Sequence, residues 1–326
     1  MRILITGSAG FIGSHVVEEF LEHGYAVKAL VHYNSDSYLG NLRYLDPKRW
    51  GRQLDIVFGD VRDARLMLET ARDCDAIVHL AALIGIPYSY VAPQSYLATN
   101  VNGSLNVLEA ARELSLRRVV VTSTSEVYGT ALYSPIDELH PLQAQSPYSA
   151  SKISADKLAE SYYRSFGVPA VILRPFNTYG PRQSARAIIP TILSQLLAGR
   201  PKLALGSLSP KRDLVFVKDT ARAFRLALEA KDIESETIHC GTGEAVSIGQ
   251  LAELCMEVTG RKVEIVEEVA RVRPEKSEVG LLLANSAKAK RMLGWTPTVS
   301  LRKGLEHVAE FIESNIDHFN VDRYTV

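Results

Sequence analysis

The sequence predicts an α/β protein, with a doubly wound parallel sheet followed by a smaller α+β region. Short runs of apolar, often β-branched residues recur through the first half of the chain, and amphipathic stretches of helical length separate them. After about residue 175 the elements become shorter and prolines more frequent. Nearly continuous apolar strands that alternate with helices are typical of a parallel sheet covered on both faces. Such sheets bind ligands beyond the carboxyl ends of their strands.

The first half of the chain supplies the elements of this sheet in order. The apolar runs predict strands at Arg2–Ile5, Ala26–Val31, Leu54–Phe58, Ala76–His79, Arg118–Thr122 and Ala170–Arg174. The amphipathic stretches predict helices at Ser14–His23, Asp63–Ala71, Val101–Leu114 and Ser149–Phe166. Each crossover between parallel strands is expected to be right-handed.

The second half predicts a smaller domain over the carboxyl ends of the strands. Its expected elements are a strand at Leu214–Val217 and helices at Thr220–Ala230, Ser247–Thr259 and Leu301–Ser314. We therefore predict a first domain over residues 1–175, to which about 212–238 return, and a second over 176–326.

The composition excludes several classes of partner. The 326 residues contain 37 Lys and Arg and 37 Asp and Glu, so the net charge is zero and gives no reason to expect binding to nucleic acid or an anionic membrane. The three cysteines are widely spaced, which argues against disulfides or structural zinc. The chain opens on a strand-like segment, and no apolar run is long enough to span a bilayer. The expected location is cytoplasmic.

A glycine-rich turn joins the first predicted strand to the first helix. Gly7, Gly10 and Gly13 follow the spacing GxxGxxG. The first glycine permits a tight turn, the second a close approach to a pyrophosphate, and the third close packing of helix on strand. Phe11 and Ile12 begin the helix, whose free N–H groups would face the anion. The turn predicts a Rossmann-type domain that binds a dinucleotide.

The residues expected around the rest of the dinucleotide lie at the ends of later strands. The acid that would bind the ribose of NAD is absent near His32, and no Arg follows for a 2′-phosphate. We therefore predict NAD and leave NADP open. Further candidate cofactor contacts are Asp60, Val61, Leu80, Ala81 and Ala82, whereas His79 is expected to be a core residue.

A tyrosine and a lysine four residues apart form the candidate catalytic pair. Tyr148 and Lys152 would share one face of a helix, and the ammonium would lower the pKa of the phenol. The tyrosinate could then take an alcohol proton while a hydride leaves the same carbon. Thr124, at the end of the fifth strand, is the candidate hydroxyl for hydrogen bonding to both the substrate and Tyr148.

Glu126 stands beside this pair and suggests a further step. A carboxylate there would disfavour simple alcohol oxidation, but it could deprotonate a carbon next to a newly formed ketone.

Seven segments together resemble the extended short-chain dehydrogenase/reductases, and within them the NAD-dependent epimerase/dehydratase branch that acts on nucleotide sugars. They are TGSAGFIG, HLAA, TNVNGSLNVLEAA, TSTSEVYG, YSASK, RPFNTYGPRQ and RDLVFVKDTARA, in order over nearly the whole chain. More narrowly, STSEVYGTA, the segment from Gln145 to Ile192 and RPEKSEV resemble the nucleotide-activated N-acetylglucosamine 4,6-dehydratases of the legionaminic acid type.

The resemblance implies a redox-neutral dehydration. Tyr148 would take the proton of the sugar 4-hydroxyl, Glu126 the proton at carbon 5, and water would leave from carbon 6 before the hydride returns there. The implied substrate-binding residues are Asn177, Arg182, Arg212, Arg273 and Glu275. Asn100 or Asn102 matches the asparagine that supports the active site in this superfamily. Arg212 and Arg273 could instead form surface salt bridges with Asp213 or Glu275.

One departure concerns the acid that expels the 6-hydroxyl. Similar deoxythymidine-diphosphate glucose dehydratases carry Asp-Glu where this chain has Ser125-Glu126, whereas GDP-mannose dehydratases pair a hydroxyl residue with Glu. Glu126 could therefore serve as both base and acid, with Ser125 or Thr124 as a relay.

Three other functions remain open from the sequence. A UDP-glucuronate decarboxylase would need an extra cation, which Arg182 or Arg186 could supply. A nucleotide-sugar 4-epimerase would not need Glu126. A non-catalytic dinucleotide-sensing protein would tend to lose Tyr148 or Lys152, and both are present. The nucleotide, UDP or GDP, is not fixed. The resemblance also implies a homodimer through helices Val101–Leu114 and Ser149–Phe166.

Overall fold

The computed structural model describes residues 1–268 and 279–319. Its strands are β1 (Arg2–Thr6), β2 (Ala26–His32), β3 (Leu54–Gly59), β4 (Ala76–His79), β5 (Val119–Thr122), β6 (Ala170–Pro175), β7 (Asn177–Tyr179), β8 (Lys202–Leu205), β9 (Lys211–Phe216), β10 (Thr237–Cys240), β11 (Ala245–Ser247), β12 (Glu264–Glu267) and β13 (Leu281–Leu282). Its α-helices are α1 (Phe11–Glu22), α2 (Pro47–Trp50), α3 (Ala64–Ala71), α4 (Ile86–Val91), α5 (Pro93–Tyr96), α6 (Gly103–Glu113), α7 (Pro147–Phe166), α8 (Ile188–Leu197), α9 (Val217–Glu229), α10 (Ile248–Thr259), α11 (Ala287–Leu293) and α12 (Leu301–Glu313).

Seven strands form one parallel sheet in the order β10-β6-β5-β4-β1-β2-β3. The chain runs outward from β1 in one direction and then from β4 in the other, so the strand order reverses between β1 and β4. Ligands in such folds bind at the carboxyl ends of the strands beside this reversal. The predicted doubly wound, Rossmann-type sheet is confirmed, although the sequence analysis did not predict its edge strand β10.

Both faces of the sheet are buried. Successive strand residues point in opposite directions, so alternate side chains pack on opposite faces. Ile3 and Ile5 pack in one cluster with apolar residues of α1 and α9, among them Phe20 and Phe224. Leu4 packs in a second cluster with residues of α3, α6 and α7. The apolar strands predicted from the sequence are therefore the middle layer of a three-layer sandwich.

A second group of elements has its own core. In it, β11, β9 and β13 form a sheet to which β7 adds by pairing with β9, while β8 pairs with β12. Helices α8, α10 and α12 pack against one another around buried Ile192, Leu251 and Leu305. Within 212–238, α9 packs on the seven-stranded sheet and β10 joins it, whereas β9 lies in this second sheet. Among the described residues, no helix has the length and apolar character needed to cross a membrane.

Candidate active site

The glycine turn lies at the carboxyl end of β1, and its three glycines have different reasons to be small. Gly7 has a φ of +69°, and a Cβ there would lie 2.7 Å from the amide nitrogen of Ala81. A Cβ on Gly13 would lie 2.1 Å from the carbonyl oxygen of Gly7. Gly10 is exposed, and the nearest atom to its Cβ position is the carbonyl oxygen of Gly7 at 3.1 Å. Gly7 and Gly13 therefore close the turn, while Gly10 leaves its outer side open to a ligand.

The first turn of α1 fits a pyrophosphate. Gly10 is its N-cap, no described side chain caps it, and its first turn carries no acidic residue. The unpaired N–H groups and the positive end of the helix dipole therefore face the open side of Gly10, with Phe11 and Ile12 as the first helical residues. Leu80 and Ala81 border the turn, since both amides donate to the hydroxyl of Thr6. Ala82 follows directly at the end of β4.

Charged residues gather where β2 and β3 end. The imidazole Nε2 of His32 lies 3.4 Å from Asp60, and Arg62 also pairs with that carboxylate, at 2.5 Å. The hydrogen bonds from Arg62 lower the pKa of Asp60. Val61 is buried, and Asn106 donates to its carbonyl oxygen. The structure thus brings His32 and Asp60 together and adds Arg62, which the sequence analysis missed; their contact with an adenosine stays a prediction.

Tyr148 and Lys152 lie in the first two turns of α7. Ser146 and Ser149 form a capping box, and Pro147 follows the cap, so the helix start is well defined. Both candidate side chains are buried. The ammonium of Lys152 donates to the carbonyl oxygen of Thr122 at 2.6 Å, which ties α7 to the end of β5.

Tyr148 stands in a small apolar pocket with Leu83, Ile86 and Tyr96, and the Tyr96 ring meets it edge-on at 6.2 Å. Burial raises the pKa of Tyr148, a hydrogen bond from Thr124 opposes this, and the negative charge of Glu126 adds to it. The pKa of Tyr148 is therefore raised, mainly by burial, and not lowered by Lys152 as the sequence predicted, so the side chain is a phenol at neutral pH. Burial also lowers the pKa of Lys152, while the charge of Asp156 opposes that shift.

Thr124, Ser125 and Glu126 form the start of a short 3₁₀ helix over Ser125–Tyr128. The hydroxyl of Thr124 caps it by accepting from the amide of Glu126 at 3.2 Å, which leaves its hydrogen available for Tyr148. Ser125 is buried. The half-buried carboxylate of Glu126 makes no hydrogen bond or ion pair with any described residue, and it interacts electrostatically with Tyr148. Two candidate acid–base groups, Tyr148 and Glu126, are thus adjacent.

A buried ion pair lies beneath these groups. Arg174 on β6 and Asp156 on α7 are 2.6 Å apart, and both are almost fully buried. Ser123 donates to the same carboxylate oxygen, and Arg174 also donates to the hydroxyl of Tyr128. The sequence analysis missed this pair, although Asp156 follows Lys152 at the same four-residue spacing that revealed Lys152.

Asn100 supports the apolar pocket from a π-helical segment, Leu97–Asn102. Its buried side chain accepts from the amide of Leu83 at 2.8 Å and donates to the carbonyl oxygen of the same residue at 2.9 Å. Asn102 is exposed. Of the two asparagines considered from the sequence, Asn100 is therefore the one that holds the pocket.

The predicted substrate-binding residues are more dispersed. Asn177 begins β7, and its buried side-chain oxygen has no hydrogen-bond partner among the described residues. Arg182 forms an ion pair with Glu18 on α1. Arg212 is buried and donates to the carbonyl oxygen of Val279 at 2.7 Å. Their contacts with a substrate stay predictions, and Arg273 and Glu275 lie outside the described residues.

Arg186, in the loop after β7, lies close to the segment that carries Leu83 and Ile86. Its guanidinium lies 3.5 Å from the position that a Cβ on Gly85 would occupy. Burial raises the pKa of Tyr96, and the charge of Arg186 opposes that shift. Because Tyr96 packs on Tyr148, Arg186 lies near these apolar side chains, whereas Arg182 is held by Glu18.

Comparison with known proteins finds relatives along almost the entire chain. A family model described as GDP-mannose 4,6-dehydratase matches residues 4–308. The chain is 32% identical over 319 residues to a dTDP-glucose 4,6-dehydratase of an Actinoplanes species, covering 97% of this chain and 98% of the relative.

Solved structures include both dehydratases and epimerases. DesIV, the dTDP-glucose 4,6-dehydratase of Streptomyces venezuelae crystallised with NAD, is 33% identical with a TM-score of 0.86, over 98% of this chain and 99% of that one. The UDP-glucuronic acid 4-epimerase of Bacillus cereus, in complex with UDP-glucuronic acid and NAD, is 29% identical with a TM-score of 0.87, over 97% and 100% of the two chains.

Proposed function

The chain belongs to the extended short-chain dehydrogenase/reductase family, in its NAD-dependent epimerase/dehydratase branch, and from this premise we propose that it is a nucleotide-sugar 4,6-dehydratase. We propose UDP- or GDP-linked N-acetylglucosamine as its substrate and the 4-keto-6-deoxy sugar nucleotide as its product. The cofactor is NAD, held at the turn formed by Gly7, Gly10 and Gly13.

The observation that carries the proposal is the carboxylate of Glu126 beside Tyr148. Oxidation of a sugar 4-hydroxyl and return of the hydride to carbon 4 need one acid–base group, which Tyr148 supplies. Loss of water across carbons 5 and 6 needs a second group, because the proton on carbon 5 must be removed. Glu126 has no described partner to neutralise it and is therefore available as that base.

The residues of the site divide the proton transfers between them. NAD bound at the turn of Gly7, Gly10 and Gly13 would supply the hydride acceptor and donor for this redox-neutral cycle. In its ionised form Tyr148 accepts the proton of the 4-hydroxyl and becomes a phenol; Thr124 donates a hydrogen bond that stabilises the phenolate before this transfer. Lys152, fixed by Thr122, adds positive charge behind it. Glu126 removes the proton at carbon 5 and, through Ser125 or Thr124, protonates the departing 6-hydroxyl.

A panel of substrates tests this proposal. We expect UDP- or GDP-N-acetylglucosamine to yield a product that has lost one molecule of water and carries a 4-ketone, visible by mass spectrometry and NMR. Conversion to the 4-epimer without loss of water would contradict it.

A UDP-glucuronic acid enzyme is the second candidate, and Arg186 is the observation that favours it. A uronic acid carries a carboxylate on carbon 5, and an arginine near Gly85 and Tyr96 could pair with that group. In the same panel, release of carbon dioxide from UDP-glucuronic acid, or its conversion to the 4-epimer, would favour this candidate. Neither carbon dioxide release nor 4-epimerisation of UDP-glucuronic acid is expected if Arg186 instead faces solvent or a phosphate.

We also propose that the protein is a homodimer through α6 and α7. The carboxyl end of α7 exposes Tyr163 and Phe166, the latter 57% accessible. The guanidinium of Arg112 on α6 lies over the Phe166 ring at 5.4 Å. Sedimentation at micromolar concentration is expected to give twice the mass of the 35.9 kDa chain. A monomer at that concentration would rule the dimer out.

A further inference from the structure

We propose that His79, neutral and protonated on Nε2, is a positioning residue that links the cofactor turn to Tyr148 through one directed chain of hydrogen bonds. The proposal rests on the proposed function in one respect only, because it takes Tyr148 as the group whose position matters. It gives a role to a histidine that the sequence alone places in the core.

The chain of hydrogen bonds begins at Thr6, the residue before Gly7. The Thr6 hydroxyl accepts from the amide of Ala81 at 3.1 Å and from the amide of Leu80 at 3.2 Å, the latter shared with the carbonyl oxygen of Thr6 at 3.3 Å. A hydroxyl oxygen has two lone pairs, so both are used. Its hydrogen therefore points to the remaining neighbour, Nδ1 of His79 at 2.8 Å. Nδ1 must accept, and it carries no proton.

The other ring nitrogen is fixed by the same reasoning. Nε2 of His79 lies 3.1 Å from the hydroxyl of Ser104, and that hydroxyl donates to the carbonyl oxygen of Asn100 at 2.6 Å. Since the only hydrogen of Ser104 is used, its oxygen accepts from His79, and Nε2 bears the proton. The ring is fully buried, and burial together with the charge of Lys152 lowers the pKa of His79 to about 3.

The chain continues from Asn100 into the catalytic helix. The amide of its side chain donates to the hydroxyl of Ser151 at 2.9 Å, and that hydroxyl donates to the carbonyl oxygen of Tyr148 at 2.7 Å. The same amide group also donates to Leu83 at 2.9 Å. These hydroxyl, imidazole and amide groups therefore join the cofactor turn to the end of β4, the π-helical segment and α7. Almost all of their hydrogen-bond donors and acceptors have a partner.

This arrangement explains why the order of donor and acceptor matters for catalysis. A second proton on His79 would leave Thr6 and Nδ1 as two donors facing each other in a buried site. The cofactor turn and α7 would then lose their fixed separation. A displacement of about 1 Å between reacting groups can cost about a hundredfold in rate. Around the His79 ring the described charged or titratable groups are Lys152 and, beyond it, Tyr148 and Asp156 on α7 and Arg174 on β6.

The protonation state can be measured without any reaction. In ¹⁵N-labelled protein, the imidazole signals assigned to His79 by their loss in the His79→Gln variant are expected to show a proton on Nε2 only. They should not titrate between about pH 5 and 8, where an ordinary histidine changes charge. A proton on Nδ1, or a titration in this range, would overturn the proposal whatever the enzyme's substrate.

Two sets of variants test the positioning role. Ser104→Ala changes a buried residue of α6 that is not among the candidate cofactor or substrate contacts, and it is expected to lower kcat about 10- to 100-fold with little change in KM. Ser194→Ala removes a comparably buried hydroxyl that bonds within α8, and it should leave kcat unchanged. His79→Gln can still accept from Thr6 and donate to Ser104, so it should keep more activity than His79→Leu.

The rate is measured with whichever nucleotide sugar the enzyme converts, since dehydration, epimerisation and decarboxylation all use Tyr148. Thermal unfolding checks that each variant is folded. An unchanged kcat in Ser104→Ala, or equal activity in the two His79 variants, would reject the positioning role and leave the proposed reaction untouched.

Discussion

The Glu126→Gln variant is expected to form the 4-keto-6-deoxy product about 100- to 10,000-fold more slowly than the unmodified enzyme, a typical loss for an acid–base group. Glutamine keeps the size of the side chain but cannot take a proton from carbon 5. The cap from Thr124 binds the backbone amide of residue 126, so the local helix should remain. NAD binding is expected to be unchanged, and product formation can be followed by NMR.

Glu113→Gln is the matched control, because Glu113 is an exposed glutamate at the end of α6. It should dehydrate the substrate at the normal rate. Normal turnover by Glu126→Gln would remove Glu126 from the mechanism. Retention of a 4-epimerase activity by that variant would instead show that Tyr148 alone drives the reaction.

Removing Asp156 is expected to have the largest effect on stability. The Asp156→Ala variant would leave the guanidinium of Arg174 buried without its carboxylate partner. Breaking a buried ion pair in this way typically costs about 3–5 kcal/mol in the free energy of unfolding. Urea unfolding of the full-length protein, measured by circular dichroism, would give this value.

A double variant separates the unpaired charge from simple loss of packing. Asp156→Leu with Arg174→Met replaces both charged groups by apolar ones of similar size, and such replacements are often neutral in stability. The double variant should therefore be more stable than Asp156→Ala. If Asp156→Ala costs less than about 1 kcal/mol, the ion pair is not what holds α7 against β6.

The parts of the site predicted from the sequence are those that a local pattern determines. Gly7 follows from a backbone that needs positive φ, and Lys152 from the four-residue spacing on α7. The seven-segment resemblance to the extended short-chain family is confirmed, as is the parallel sheet. These features depend on neighbours within one or two turns of the chain.

The parts that were missed depend on residues far apart in the sequence. Glu18 and Arg182 are 164 positions apart, so no local signal showed that they pair. The edge strand β10 has four residues and pairs with β6 only after α9 has crossed the sheet. The partners of the His79 ring are Thr6 on β1 and Ser104 on α6, which are 73 and 25 positions away in the sequence.

The most direct test of the proposed dehydration is the reaction of the enzyme in deuterated water. Glu126 should take the proton from carbon 5 of the sugar, and a solvent-derived deuteron should replace it when the hydride returns to carbon 6. The account predicts a 4-keto-6-deoxy product with deuterium at carbon 5, seen by NMR and mass spectrometry. A product without deuterium at carbon 5, or a 4-epimer as the sole product, would contradict it.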